Sequence, residues 1–166
     1  MKMSKRYLVF FVVLLAALGI SATVVLGADM FSGTWKMNVA KSKFTTPAPK
    51  SGTSKIEAVD GGLKIVADGE NAEGKKTHTE YTLKFDGKDY PDKVMLDGKI
   101  DPNGADMISG KKIDDNTWET VTKLKGKVLV TARSVISKDG KTRTLTQTGK
   151  DGQGRTVNNT AIYEKQ

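Results

Sequence analysis

The sequence predicts an all-β protein: an antiparallel up-and-down β-barrel of about eight to ten strands behind an N-terminal signal helix. Three observations carry this. Asp-Gly pairs, suited to the positive φ angles of tight hairpins, recur at 60–61, 68–69, 86–87, 97–98, 139–140 and 151–152. The runs between them alternate apolar and polar residues with a period of two. After the leader, no window of a dozen residues carries a helical stripe.

The first element is that leader. Lys2, Lys5 and Arg6 precede an uncharged run from Tyr7 to Ala28, which closes on the small residues Gly27 and Ala28 before Asp29. This is the layout of a secretory signal over residues 1–28, leaving 29–166 as one barrel domain. The competing reading is a retained anchor, because the 22 residues 7–28 are long enough as a helix to span about 30 Å of hydrocarbon. In both readings the domain faces away from the cytoplasm, periplasmic or secreted, or held at the membrane by residues 7–28. Without cysteine there is no lipid-acceptor thiol, so a lipoprotein anchor is excluded.

The strands follow in order. Residues 33–38 form the first, and 39–52 is an irregular stretch containing Pro47 and Pro49. Strands over 53–59 and 63–68 flank Asp60-Gly61; in the second, Leu63, Ile65 and Ala67 alternate with Lys64, Val66 and Asp68. Over 76–85, Thr77, Thr79, Tyr81, Leu83 and Phe85 share one face, opposite Lys76, His78, Glu80 and Lys84. A strand over 88–96 leads into an irregular segment, 97–104, with Asp101-Pro102-Asn103-Gly104 as a turn. Strands over 105–113, 117–124 and 128–137 come next, the last placing Val128, Val130, Ala132, Ser134 and Ile136 on one side. Strands over 142–149 and 155–164 complete the chain.

A meander of this length either splits into a sandwich or closes. Closure removes the edges that an exported protein otherwise has to protect, which favours the barrel. A lipid-embedded barrel needs an apolar outer band with aromatic girdles. Here the mature chain has few aromatics and carries Lys and Glu in mid-strand, so the apolar side faces in and no membrane insertion beyond the leader is expected. The formal charge of +8 drops when Lys2, Lys5 and Arg6 leave, and the remaining lysines are scattered without an arginine cluster or basic helix. A solvated surface accounts for them, and no nucleic-acid partner is implied. One histidine and no cysteine exclude a disulfide scaffold, a thiolate metal site and a cysteine nucleophile.

Phe31-Ser32-Gly33-Thr34-Trp35-Lys36-Met37 resembles the Gly-x-Trp opening of lipocalins, and more closely the Phe-x-Gly-Thr-Trp-Lys-Leu opening of fatty-acid-binding proteins. Thr160-Ala161-Ile162-Tyr163-Glu164-Lys165 is similar to the latter group's final strand, Thr-Arg-x-Tyr-Glu-Lys. The resemblance to this lipocalin-like, calycin superfamily implies a minimal exported barrel whose cavity holds a small hydrophobic or amphipathic molecule. The departures are specific. The stretch 39–52 is too short for the helix-turn-helix lid of fatty-acid-binding proteins, and only three residues follow Tyr163, where lipocalins carry a helix. The arginine that helps hold a carboxylate in that family aligns with Ala161, although its tyrosine is kept as Tyr163.

Gly33 and Trp35 are therefore expected to form the barrel floor, with burial of the indole contributing on the order of 2–3 kcal/mol by area. The expected cavity residues are Tyr81, Leu83, Phe85, Trp118, Val130 and Tyr163, with Leu124 and Ala161 beside them and small side chains at Thr120, Thr122 and Ala132 leaving room. Arg143 and Arg133 are candidates to pair an anion, but their alternation reads as opposite the apolar face, as surface cations. His78 lies on a charged face. A haem-binding relative resembling nitrobindin continues after Gly-Thr-Trp with a glycine-alternating stretch; Lys36-Met37-Asn38-Val39 stands there instead, so no cofactor is implied. Asp114-Asp115-Asn116 and the 101–106 segment lack the spaced ligands of a calcium loop and read as turns, so no metal is expected.

No nucleophile with a base, no inward carboxylate pair and no phosphate loop emerges, and no catalytic residue is assigned. The leading expectation is a non-enzymatic carrier of a small ligand. The alternative is a filled barrel that contacts another envelope or secreted partner through 39–52 or 97–104, with an enzyme on the same scaffold third.

Overall fold

A computed structural model describes residues 30–166; the expected leader over 1–28 lies outside the described residues. Eleven strands form a single antiparallel sheet: β1 (Gly33–Lys43), β2 (Ser51–Val59), β3 (Gly62–Glu70), β4 (Lys76–Lys84), β5 (Tyr90–Leu96), β6 (Lys99–Ile100), β7 (Met107–Lys112), β8 (Thr117–Leu124), β9 (Lys127–Ile136), β10 (Thr142–Lys150) and β11 (Thr156–Lys165). Their order is β4-β3-β2-β1-β11-β10-β9-β8-β7-β5-β6, and a further pairing of β4 with β5 closes the ring. The result is a closed barrel of ten strands, with β6 a two-residue outgrowth of β5. First and last strands meet through Trp35↔Lys165 and Met37↔Tyr163.

Each of the ten expected strands has a counterpart, and the differences have local causes. β1 runs on to Lys43 because a bulge, not a loop, follows Asn38. The Asn38 carboxamide oxygen accepts from the Lys41 amide at 3.1 Å, and the Ser42 hydroxyl donates to the Asn38 carbonyl at 2.7 Å while accepting from the Ile162 amide at 2.9 Å. Side chains thus carry the ladder across the irregular residues. Only 44–50 remains as the connection to β2, and no described residue is helical. Asp68-Gly69, expected as a turn, lies inside β3, paired with Thr53 and Gly52.

The weakest part of the wall lies between β5 and β7, which pair only at Tyr90↔Ile108 and Pro91↔Met107. Pro91 has no amide hydrogen to give the ladder, and β5 turns its remaining edge to β6 through Met95↔Ile100 and Leu96↔Lys99. One further bond, from the Asp92 amide to the Asp106 carbonyl at 3.0 Å, extends the seam.

The outer face is polar. Cross-strand pairs such as Lys64–Glu80 (3.4 Å) and Arg133–Glu119 (2.7 Å) lie in solvent, where each contributes about 0–1 kcal/mol. The fold therefore rests on its interior.

Candidate functional site

The end of the barrel where β1 begins is filled. Trp35 is 0% exposed, and its indole Nε1 donates to the Phe31 carbonyl at 3.0 Å. The Phe31 ring lies 4.7 Å from Trp118 and 6.4 Å from Phe85 between centroids. Outside this cluster the Lys165 ammonium sits 5.2 Å from the Trp35 ring centre. Gly33 has a φ of +133°, and a Cβ there would stand 2.6 Å from the Lys165 Cε, so this glycine lets the lysine stem cover the indole.

Above the floor the barrel is hollow. A cavity of about 350 Å³ has walls that include Ile65, Tyr81, Trp118, Val130, Ala132 and Tyr163, and the short side chains of Thr120 and Thr122 leave its middle open. At the opposite end, two turns bound the mouth. Gly152 of the β10–β11 turn abuts Asn103, so closely that a Cβ on Gly152 would fall 2.0 Å from the Asn103 carbonyl oxygen. Asn159 ties down the β1–β2 connection beside them, accepting from the Thr45 amide at 2.9 Å.

Of the expected cavity residues, Tyr81, Trp118, Val130 and Tyr163 line the hollow together. Leu83 and Phe85 do not. Both point inward, but strand alternation fixes the side of a residue and not its height. Leu83 is buried with its methyl groups against Gly110, where a Cβ would come within 2.6 Å, and Phe85 stands on Phe31 at the floor. Leu124 and Ala161 are likewise absent from the lining.

Arg143 requires the larger correction. It faces the cavity, is 4% exposed, and holds its guanidinium carbon 4.1 Å from the Tyr163 ring centre and 6.0 Å from that of Trp35. The inward side of β10 reads Arg143, Leu145, Gln147 and the outward side Thr142, Thr144, Thr146, so hydropathy does not orient this strand. The pairing Arg143↔Tyr163 does, because directly opposed residues of antiparallel strands share a face. Arg133, by contrast, is the surface cation expected, bonded to Glu119.

Asp92 is the inward residue that sequence reasoning missed. It pairs with Tyr81 across β4 and β5, shares a face with Val94, lines the cavity and is 9% exposed. Parity with Val94 is the signal that could have found it.

The electrostatics follow from burial. Desolvation, with the Asp106 charge second, pushes the Asp92 carboxyl up to about 7. Burial lowers the Arg143 pKa, an effect opposed by Tyr163 and Tyr81, and a guanidinium stays charged throughout the physiological range. Burial and the Asp92 charge raise the Tyr81 phenol, whereas Arg143 pulls it down. Burial also raises Tyr163, again against Arg143. The site is thus a pocket with one fixed cation, one carboxyl near its midpoint at neutral pH and two protonated phenols.

His78 points outward, with its Nδ1 2.8 Å from Asp68. Asp101 and Asp114 accept from the amides of Asn103 and Asn116 at 2.9 and 3.0 Å, the turn chemistry expected of them.

No protein-family model matches the chain, and neither does any curated protein sequence. Among solved structures it is similar to a redesigned β-barrel, mFAP1, bound to DFHBI, with 14% identity over 84% of this chain and 98% of that one and a TM-score of 0.37.

Proposed function

We propose that this protein is a lipocalin-like member of the calycin superfamily, exported to the periplasm or beyond the cell, that binds a small amphipathic molecule inside its barrel without catalysing a reaction. The observation that carries this reading is the cavity: about 350 Å³, walled by aromatic and aliphatic side chains, above a floor that is packed solid. That volume falls in the range of small-molecule sites, which are mostly apolar hollows with a few placed polar groups. The Gly33-x-Trp35 opening and the Tyr163-Glu164-Lys165 ending support the family, and the basic-then-apolar leader supports export.

Non-catalytic binding is favoured because, among the described residues, no serine or threonine of the cavity lining is hydrogen-bonded to a carboxylate or histidine; the Ser137–Asp139 contact lies in an exposed turn outside it. Asp92 and Arg143 do not face each other as an ion pair, and His78 is outside the barrel. Native mass spectrometry of the protein purified from a secreting host tests the reading. A small molecule retained at one per chain, and displaced by an apolar acid, is the expected result. An empty chain that takes up no member of a broad lipid and dye panel contradicts it. The same spectrum reports whether the chain begins after Ala28.

A further inference from the structure

Among the described residues, two buried side-chain polar atoms have no hydrogen-bond partner: Oδ1 of Asp92 and Nε of Arg143. Native interiors leave few such atoms, because each forfeits the hydration it had in the unfolded chain. Here both belong to the lining of one cavity, on opposite arcs of the barrel: β5 carries Asp92 and β10 carries Arg143. They do not compensate each other. Their strands are not neighbours in the ring, with β9, β8 and β7 standing between β10 and β5. Tyr81, paired with Asp92 across β4 and β5, lines the same cavity, with Trp118, Val130 and Ala132 supplying apolar wall.

We propose that the cavity takes a two-ended ligand: an organic anion whose carboxylate or other acidic oxygens meet the Arg143 guanidinium, and whose far end presents a hydroxyl, ammonium or N–H donor to Oδ1 of Asp92. This rests on the cavity-binding reading above and names the ligand class. The guanidinium carbon sits 4.1 Å from the Tyr163 ring centre, a cation–π contact that positions the group before binding, and its Nε has no partner within the protein. A ligand with an anionic end alone leaves Asp92 unpaired, and a ligand with a hydroxyl alone leaves the cation unpaired. Discrimination against either single-ended analogue follows, because a site built for a polar group penalises its absence strongly.

The test is a chain-length series of ω-hydroxy acids, with the parent alkanoic acids and parent alcohols as single-ended controls, titrated against the full domain by Trp118 fluorescence. The best ω-hydroxy acid is expected to bind at least about tenfold more tightly than the acid of the same length, the value of one bond to a charged group. Asp92→Leu should erase that advantage, with the plain acid binding at least as tightly as it does to the parent, because the unpaired carboxyl that penalised it is gone. The variant removes an unpaired buried carboxyl, so it should melt no lower than the parent. Arg143→Met should weaken both acids and spare the alcohol; if it does not fold, Arg143→Lys, which keeps the charge but loses the planar fork, serves in its place. Equal affinity for acid and hydroxy acid overturns the two-ended ligand while the cavity reading stands. Failure of every probe at every length overturns both.

Discussion

At the scale of single residues, Trp35 and Asp92 pull stability in opposite directions. Trp35 is fully enclosed, hydrogen-bonded through its indole nitrogen and covered by Lys165. Truncating a buried tryptophan to alanine costs about 3–5 kcal/mol, so Trp35→Ala should lower the melting temperature by roughly 10 °C or more, read by circular dichroism. An unchanged melt refutes its role as floor. Asp92 gives a pH signature. Unfolded, an aspartate titrates near 3.9, and in the folded barrel it does so at about 7. Between those values the native state holds a proton that the unfolded chain has lost. Stability from this group is therefore fully present below about pH 4, declines as pH rises to about 7 and levels off above it, over a span of a few kcal/mol. Urea unfolding across that window should show the decline in the parent and not in Asp92→Asn. Coincident curves for the two proteins contradict the burial of an ionisable carboxyl.

At the scale of elements, the hairpins were legible and their interior heights were not. Period-two alternation in β3, β4 and β9 placed Ile65, Tyr81 and Val130 inward, because one side of each strand is plainly more apolar. The same rule failed for β10, whose two faces read Arg-Leu-Gln and Thr-Thr-Thr, and it was not applied to β5, where Pro91 and Asp92 look like turn residues. In both, the inward polar residue is what function needs and what hydropathy hides. The bulge in β1 was invisible for another reason: Asn38 and Ser42 sustain it by side-chain hydrogen bonds that no periodicity records. The turns at the mouth also carry a prediction. Gly152 and Asn103 touch at a distance that admits no side chain. Gly152→Val should push the 101–104 turn outward and raise the dissociation rate of a bound probe several-fold in stopped flow, with a change in melting temperature smaller than that of Trp35→Ala. An unaltered rate shows that these turns do not bound the route in and out.

At the scale of the whole molecule, closure is the organising fact. The pairing of β1 with β11 joins the ends of the described chain, and the β4–β5 contact seals the ring, so every inward side chain faces a common interior. Length, turn spacing and the absence of helical periodicity pointed to this from the sequence; the division of that interior into a solid floor and a hollow upper part did not, since it depends on how far along each strand the large side chains fall. Phe31, Trp35, Phe85 and Ile136 fill one end, whereas threonines and alanines leave the other open. Trp118 lies at the boundary, in contact with Phe31 below and lining the cavity above, whereas Trp35 is shut off from it. The most direct measurement is therefore tryptophan emission during titration with an amphipathic acid, compared between the parent and Trp118→Phe. A hollow barrel gives saturable quenching at one ligand per chain that vanishes in Trp118→Phe. No quenching in the parent, or quenching that persists in the variant, contradicts a ligand-holding interior.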